Sequence, residues 1–110
     1  IATTQAACNM ATTVYNGKKM QIVEVSMVDD FGSVVETDSS PVSVTVDGAG
    51  ELAGIENGDI ADVTEYSSNW RRAHNGRLTI YIRSVQSGKV TIRLDSINKK
   101  TKVITYVITQ

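Results

Sequence analysis

The sequence predicts an all-β chain folded as an antiparallel sandwich, and three observations carry that prediction. Val, Ile and Thr supply 36 of the 110 residues, against three Leu. Such β-branched side chains are stiff at χ1 and suit a pleated, half-buried surface better than a helix. Apolar residues recur at a period of two in several short runs, as half-buried strands require. Gly, Asn, Asp and Ser separate those runs at short intervals, which marks turns between neighbouring strands.

Residues 1–13, IATTQAACNMATT, are small and polar with no clean period, so they read as a linker or a loosely held first strand, and the domain proper is drawn as residues 14–110. Asn16-Gly17 accepts positive φ and opens MQIVEVSMV, where Val23, Val25 and Met27 face one way and Glu24 and Ser26 the other. Asp29-Asp30-Phe31-Gly32 then suits a tight turn. A second strand, PVSVTV, sets Val42, Val44 and Val46 on one face, with Pro41 first, where a missing N–H does least harm. Gly48, Gly50, Gly54 and Gly58 punctuate the next stretch and leave room for a short strand, Leu52 to Ile55.

Residues 59–76 are the least regular part and read as a long loop, which a small domain rarely keeps without a use. Three alternating runs close the chain: Leu78, Ile80 and Ile82, then Val90, Ile92 and Leu94, then Val103 to Ile108. They read as hairpin-linked antiparallel strands. About seven short strands in roughly 100 residues meet the sequence criteria for an immunoglobulin-like β-sandwich. Cys8 is the single cysteine, so this is a sandwich with no disulfide, held together by burial of its inward Val, Ile and Leu.

A length of 110 residues fits one domain with one core and leaves no room for a second. With 11 basic and 12 acidic residues spread along the chain, nothing concentrates positive charge for a phosphate backbone, so nucleic acid is not an expected partner. No apolar run approaches the roughly 20 residues of a membrane-spanning helix, so no membrane is expected either. The chain starts at Ile1 rather than Met and is expected to be a piece of something longer, with any targeting segment outside it.

A search for chemistry returns little. His74 is the single His, which rules out His-rich metal sites; it lacks a nucleophile signature nearby and reads as a solvated or packed loop residue. GxSxG, HExxH, GxGxxG and P-loop motifs are missing from the sequence. Gly48-Ala49-Gly50 reads as a turn former because no helix follows it to favour an anion. Asp29 with Asp30, and Asp59 with Asp62, read as turn residues rather than calcium ligands. Arg71 and Arg72 are expected to pair with Asp59 or Glu65 across the long loop, and Lys99, Lys100 and Lys102 to form a solvated hairpin tip that guards an edge. Trp70 and Tyr66 carry the one functional pull, since a flat aromatic can stack on a sugar ring, but core packing is the preferred reading for the single Trp. No cofactor is expected.

Three segments, YNGKKMQIVEVSMVDDFGSVV, VSVTVDGAGELAGIENGD and RRAHNGRLTIYIRS, resemble the C-terminal immunoglobulin-like domain of bacterial family-two glycoside hydrolases of the β-galactosidase type. That pattern runs approximately DGxDL, V-V-D-x-x-G, VxGxGxLxGxxNGD and R-x-A-F-x-G, and the likeness covers residues 14–96. Asp29 and Gly32 match its turn; Gly48, Gly50, Leu52 and Gly54 its glycine-rich segment; Asn57, Gly58 and Asp59 its NGD; and Arg72, Ala73 and Gly76 its last motif. The departures are His74 where Phe is usual, Ile60 where Pro commonly follows Asp, and Asn16 in place of the opening Asp.

The resemblance implies that the hydrolytic carboxylates belong to a separate barrel domain of a longer glycosidase and that this chain is a non-catalytic accessory domain packed against its neighbours. It further implies a periplasmic, cell-surface or extracellular setting in a bacterium. Two other readings stand beside it: a carbohydrate-binding module using Trp70 and Tyr66, and a stalk repeat of a bacterial surface adhesin. The side chains expected at a carbohydrate or domain contact are Tyr66, Trp70, Arg71 and His74.

Overall fold

A computed structural model describes residues 8–58 and 69–109 of the chain. These form β1 (Asn9–Asn16), β2 (Met20–Val28), β3 (Pro41–Gly48), β4 (Gly50–Glu56), β5 (Trp70–Arg72), β6 (Arg77–Ser84), β7 (Gly88–Ser96) and β8 (Lys102–Ile108). Two four-stranded sheets result, ordered β1-β2-β6-β4 and β5-β3-β7-β8, with neighbouring strands antiparallel. This is the expected all-β immunoglobulin-like sandwich, with no helix and no disulfide among the described residues.

The alternation read from the sequence becomes the core. Val23, Val25 and Met27 of β2, Val42 and Val44 of β3, Leu78, Ile80 and Ile82 of β6, Val90, Ile92 and Leu94 of β7, and Ile104 and Ile108 of β8 are buried together between the sheets. Each fully buried aliphatic side chain stabilises the fold by roughly 1.5–3 kcal/mol before chain entropy is set against it. The predicted short strand over Leu52–Ile55 runs longer, as β4, and carries a register shift between Leu52 and Gly54 where it pairs with β6.

Two expectations change. β6 and β7 are not a hairpin: β6 lies in one sheet and β7 in the other, so Val85–Ser87 crosses between layers. Period-two alternation is the same for either connection, which is why the pattern did not separate them. The stretch read as a loop over 59–76 contains a strand, β5, paired with the start of β3 through Arg71↔Val42 and Trp70↔Ser43. Three residues are too few to show a period, and their pairing is set by β3.

The Gly-Ala-Gly segment is the corner where β3 hands over to β4. Buried Ala49 donates its N–H to the Lys89 carbonyl at 3.0 Å and accepts from Val85 N–H at 2.8 Å and Gln86 N–H at 3.2 Å. The β3–β4 and β6–β7 crossings between the sheets are thereby tied to one residue. Gly48 has φ +94°, and a Cβ there would collide with the Lys89 carbonyl, so glycine is required by backbone approach rather than by any ligand.

Candidate functional site

Strand polarity sorts the connections onto two ends. The short ones, residues 17–19, 49 and 85–87, share one end; residues 29–40, 57–58, 73–76 and 97–101, with the approach to β1, share the other. The long-loop end also holds the described residues expected at a contact.

Asp29 organises the first of its loops. The Asp29 carboxylate accepts from the Phe31 N–H at 2.9 Å and the Ser33 N–H at 3.0 Å, and its backbone exchanges bonds with Gly32 and Ser33. Gly32, with φ +81°, closes the turn, so the Asp-Asp-Phe-Gly turn forms as the sequence indicated. Phe31 projects from it 80 % exposed. On the neighbouring β7–β8 turn, Ile97 is 68 % exposed.

These two turns meet at Cys8. Its Sγ donates to the Asp30 carboxylate at 2.9 Å, and its carbonyl accepts from the Lys100 N–H at 3.1 Å. The hydrogen bond from the thiol to Asp30 raises the Cys8 pKa above the usual thiol value, so the reactive thiolate is disfavoured.

Lys99 corrects the expectation of a solvated basic tip. Its ammonium sits 3.0 Å from the Asp38 carboxylate and 3.0 Å from Ser40 Oγ, with the two charged side chains only 3 % and 11 % exposed. Burial opposes the charge on Asp38, but the Ser40 N–H and Lys99 outweigh it and hold the carboxyl below the usual value. A bond between the β7–β8 turn and the loop before β3 therefore closes this end of the sandwich. The pairing joins residues far apart in the chain, and no local spacing reveals it.

The NGD and RRAHNG motifs are joined by a side chain. Asn57 Nδ2 donates to the Arg72 carbonyl at 2.8 Å, pinning β5 to the end of β4. His74 and Arg77 exchange backbone hydrogen bonds at 3.0 Å around Asn75 (φ 54°) and Gly76 (φ 74°), the positive-φ pair of a two-residue hairpin turn. Gly76 lies against the Val35 carbonyl and accepts from the Met27 N–H at 2.7 Å.

Of the side chains expected at a contact, Tyr66 lies outside the described residues, as do Asp59, Asp62 and Glu65. Trp70 is 41 % exposed, not packed in the core as preferred. Arg71, its neighbour, is buried, because adjacent strand residues point to opposite faces. The two do not form one surface. His74 is half-buried at the hairpin. Phe31, Ile97 and the Asp38–Lys99 pair were not anticipated; the readable signal for Phe31 is a large aromatic at the centre of a four-residue turn, where a side chain meets solvent. Among the described residues no group of three or more His, Cys, Asp or Glu is placed to hold a metal ion.

The model for glycoside hydrolase family 2 C-terminal domain 5 matches residues 5–105. Among solved structures the chain is similar to a β-glycosidase from Bacteroides vulgatus, with TM-score 0.87 and 21 % identity over 94 % of this chain and 14 % of that one. It is likewise similar to a glycosyl hydrolase family 2 member from Bacteroides cellulosilyticus, with TM-score 0.88 and 15 % identity over 94 % and 14 % of the two chains. Against the Parabacteroides merdae β-glucuronidase the TM-score is 0.77 with 17 % identity, over 98 % and 13 %. The chain thus spans about 14 % of the length of the first glycosidases it matches. At these identities the structural likeness speaks for the fold, and the family rests on the model match. No curated protein matches the sequence.

Proposed function

The chain belongs to the glycoside hydrolase family 2 C-terminal domain 5 family, and from that membership we propose a non-catalytic accessory domain of a glycosidase that packs against neighbouring domains through its long-loop end. One observation carries this reading. At that end Asp29 fixes its own turn, Asp38–Lys99 joins two loops and Asn57 holds β5, while apolar Phe31 and Ile97 face outward. Such an arrangement offers a surface for packing and no constellation of nucleophile, base and oxyanion donors.

A β-galactosidase parent is the finer part of the proposal and rests on the motif resemblance; relatives in the same fold include a β-glucuronidase. An envelope or extracellular setting rests on the same resemblance and is checked by fractionating cells that carry the parent. The central test is turnover of aryl β-galactosides and β-glucuronides by the parent polypeptide, the parent lacking this domain, and the domain alone. Activity confined to polypeptides with the preceding domains, with a lowered Tm on deletion, agrees with the proposal; hydrolysis by the 110-residue chain that is lost in His74→Ala overturns it.

The exposure of Trp70 favours one second reading, sugar binding. A saturable change in Trp70 emission on titration with galactosides or polysaccharides, lost in Trp70→Ala, would establish it. A flat titration removes it.

A further inference from the structure

We propose that Phe31 and Ile97 together form the anchor by which this domain seats on an apolar recess of the domain preceding it in the same polypeptide. The inference rests on the accessory-domain reading and assigns its contact residues. Phe31 is the most exposed large apolar side chain among the described residues, yet the turn that carries it is fixed by two bonds to the Asp29 carboxylate and two along the backbone. A side chain presented on a rigid turn loses little freedom on docking, which is how a small contact becomes a strong one. The Ile97 turn is equally held: Lys99 N–H donates to the Ser96 carbonyl, Thr101 Oγ1 donates to the Asp95 carboxylate at 2.8 Å, and the Lys99 ammonium is anchored on Asp38.

Position selects the occupant. Both turns bond to Cys8, the residue through which the chain runs into β1, so the tips flank the path from whatever precedes it. In a C-terminal domain that is the rest of the enzyme. Size argues the same way: an aromatic side chain covers about 150–250 Å², and two tips fall well short of the roughly 1,200 Å² needed for stable association of free partners. A tethered partner, present at high effective concentration, does not need that area. A second copy of the chain does.

The test uses the intact parent polypeptide, numbered as here, with Phe31→Ser/Ile97→Ser and, at the opposite end, Val85→Ser, which is also exposed. Limited proteolysis and hydrogen exchange are read at the segment preceding Cys8. The double variant is expected to raise cleavage there about tenfold, on the scale of exposing one large apolar side chain, while amide protection in β3 and β7 is unchanged and Val85→Ser behaves as wild type. Unchanged cleavage and exchange in the double variant overturn the proposal. So does dissociation of a parent dimer with an undisturbed junction, which would assign the tips to a second copy. Because neither readout uses turnover, a parent inactive on every glycoside would sink the glycosidase reading while leaving this result interpretable.

Discussion

The two ends of the sandwich are closed by different physics. At the short-turn end the connections are one and three residues long, and closure falls to a buried polar group. Gln21 is fully buried and spans the layers: its Nε2 donates to the Gly17 carbonyl at 2.6 Å and to Ser84 Oγ at 2.7 Å, and its Oε1 accepts from Tyr106 Oη at 3.2 Å. At the long-loop end the equivalent tie is ionic, Lys99 on Asp38, and it leaves apolar side chains outside. The contrast bears on where this domain is proposed to meet something else: the short-turn end exposes the small Val85 at 57 %, whereas the long-loop end carries the larger Phe31 and Ile97 at 80 % and 68 %.

The largest effect that sharpens this contrast comes from breaking the ionic tie. Lys99→Met leaves Asp38 buried without its cation and is expected to cost about 3 kcal/mol in denaturant unfolding, while Asp38→Leu/Lys99→Met recovers most of the loss. A double variant as weak as the single one would mean that the pair is structural packing rather than charge. At the opposite end, Gln21→Leu strands the Gly17 carbonyl and the Tyr106 hydroxyl for about 2 kcal/mol. Equal costs at both ends would erase the distinction between them.

Gly76→Ala forces a side chain into positive φ and against the Val35 carbonyl, with an expected loss of about 1–2 kcal/mol by thermal unfolding. Titration separates the ends as well. Burial pushes the Tyr106 hydroxyl up to about 12, so its neutral form stabilises the fold below the unfolded value near 10 and that contribution is lost as pH rises through about 12; Tyr106→Phe flattens this alkaline slope. Asp38 has the opposite sign. Its lowered pKa gives stability that is present above the unfolded carboxyl value, about 3.9, and lost as pH falls through the lower folded value, a loss absent in Asp38→Leu/Lys99→Met. The smallest effect is Phe31→Ser in the 110-residue chain, within about 0.5 kcal/mol of wild type, because an outward tip contributes nothing to this domain's own core.

Strand-forming residues were legible wherever the local pattern and the tertiary environment agree. Val23, Val25 and Met27, or Ile80 and Ile82, alternate because each strand has one face on the core, so period two was sufficient. β5 was not legible, since Trp70–Arg72 owes its conformation to the edge of β3. The average behaviour of its type points Trp70 inward, whereas alternation along β5 places Arg71 inside. Lys99 reads as solvated because nothing next to it in sequence announces Asp38. At the candidate site, the glycine and NGD motifs located the corner and the pin between β4 and β5, but Phe31 was visible only as a turn residue; its exposure depends on which loops share its end.

The registers also set how the domain carries tension. β1 begins at the long-loop end and β8 finishes at the short-turn end, so a pull between residues 8 and 109 runs along the strand axes. Ladder hydrogen bonds lie across that direction. The ladder from Asn9↔Val28 to Asn16↔Gln21 and that from Gly88↔Ile108 to Leu94↔Lys102 are then loaded in shear, many bonds at once, rather than unzipped singly. Asn16 Nδ2, bonded to the Val107 carbonyl at 2.9 Å, couples the two loaded strands directly. Mechanically the domain is a stiff link between its two ends.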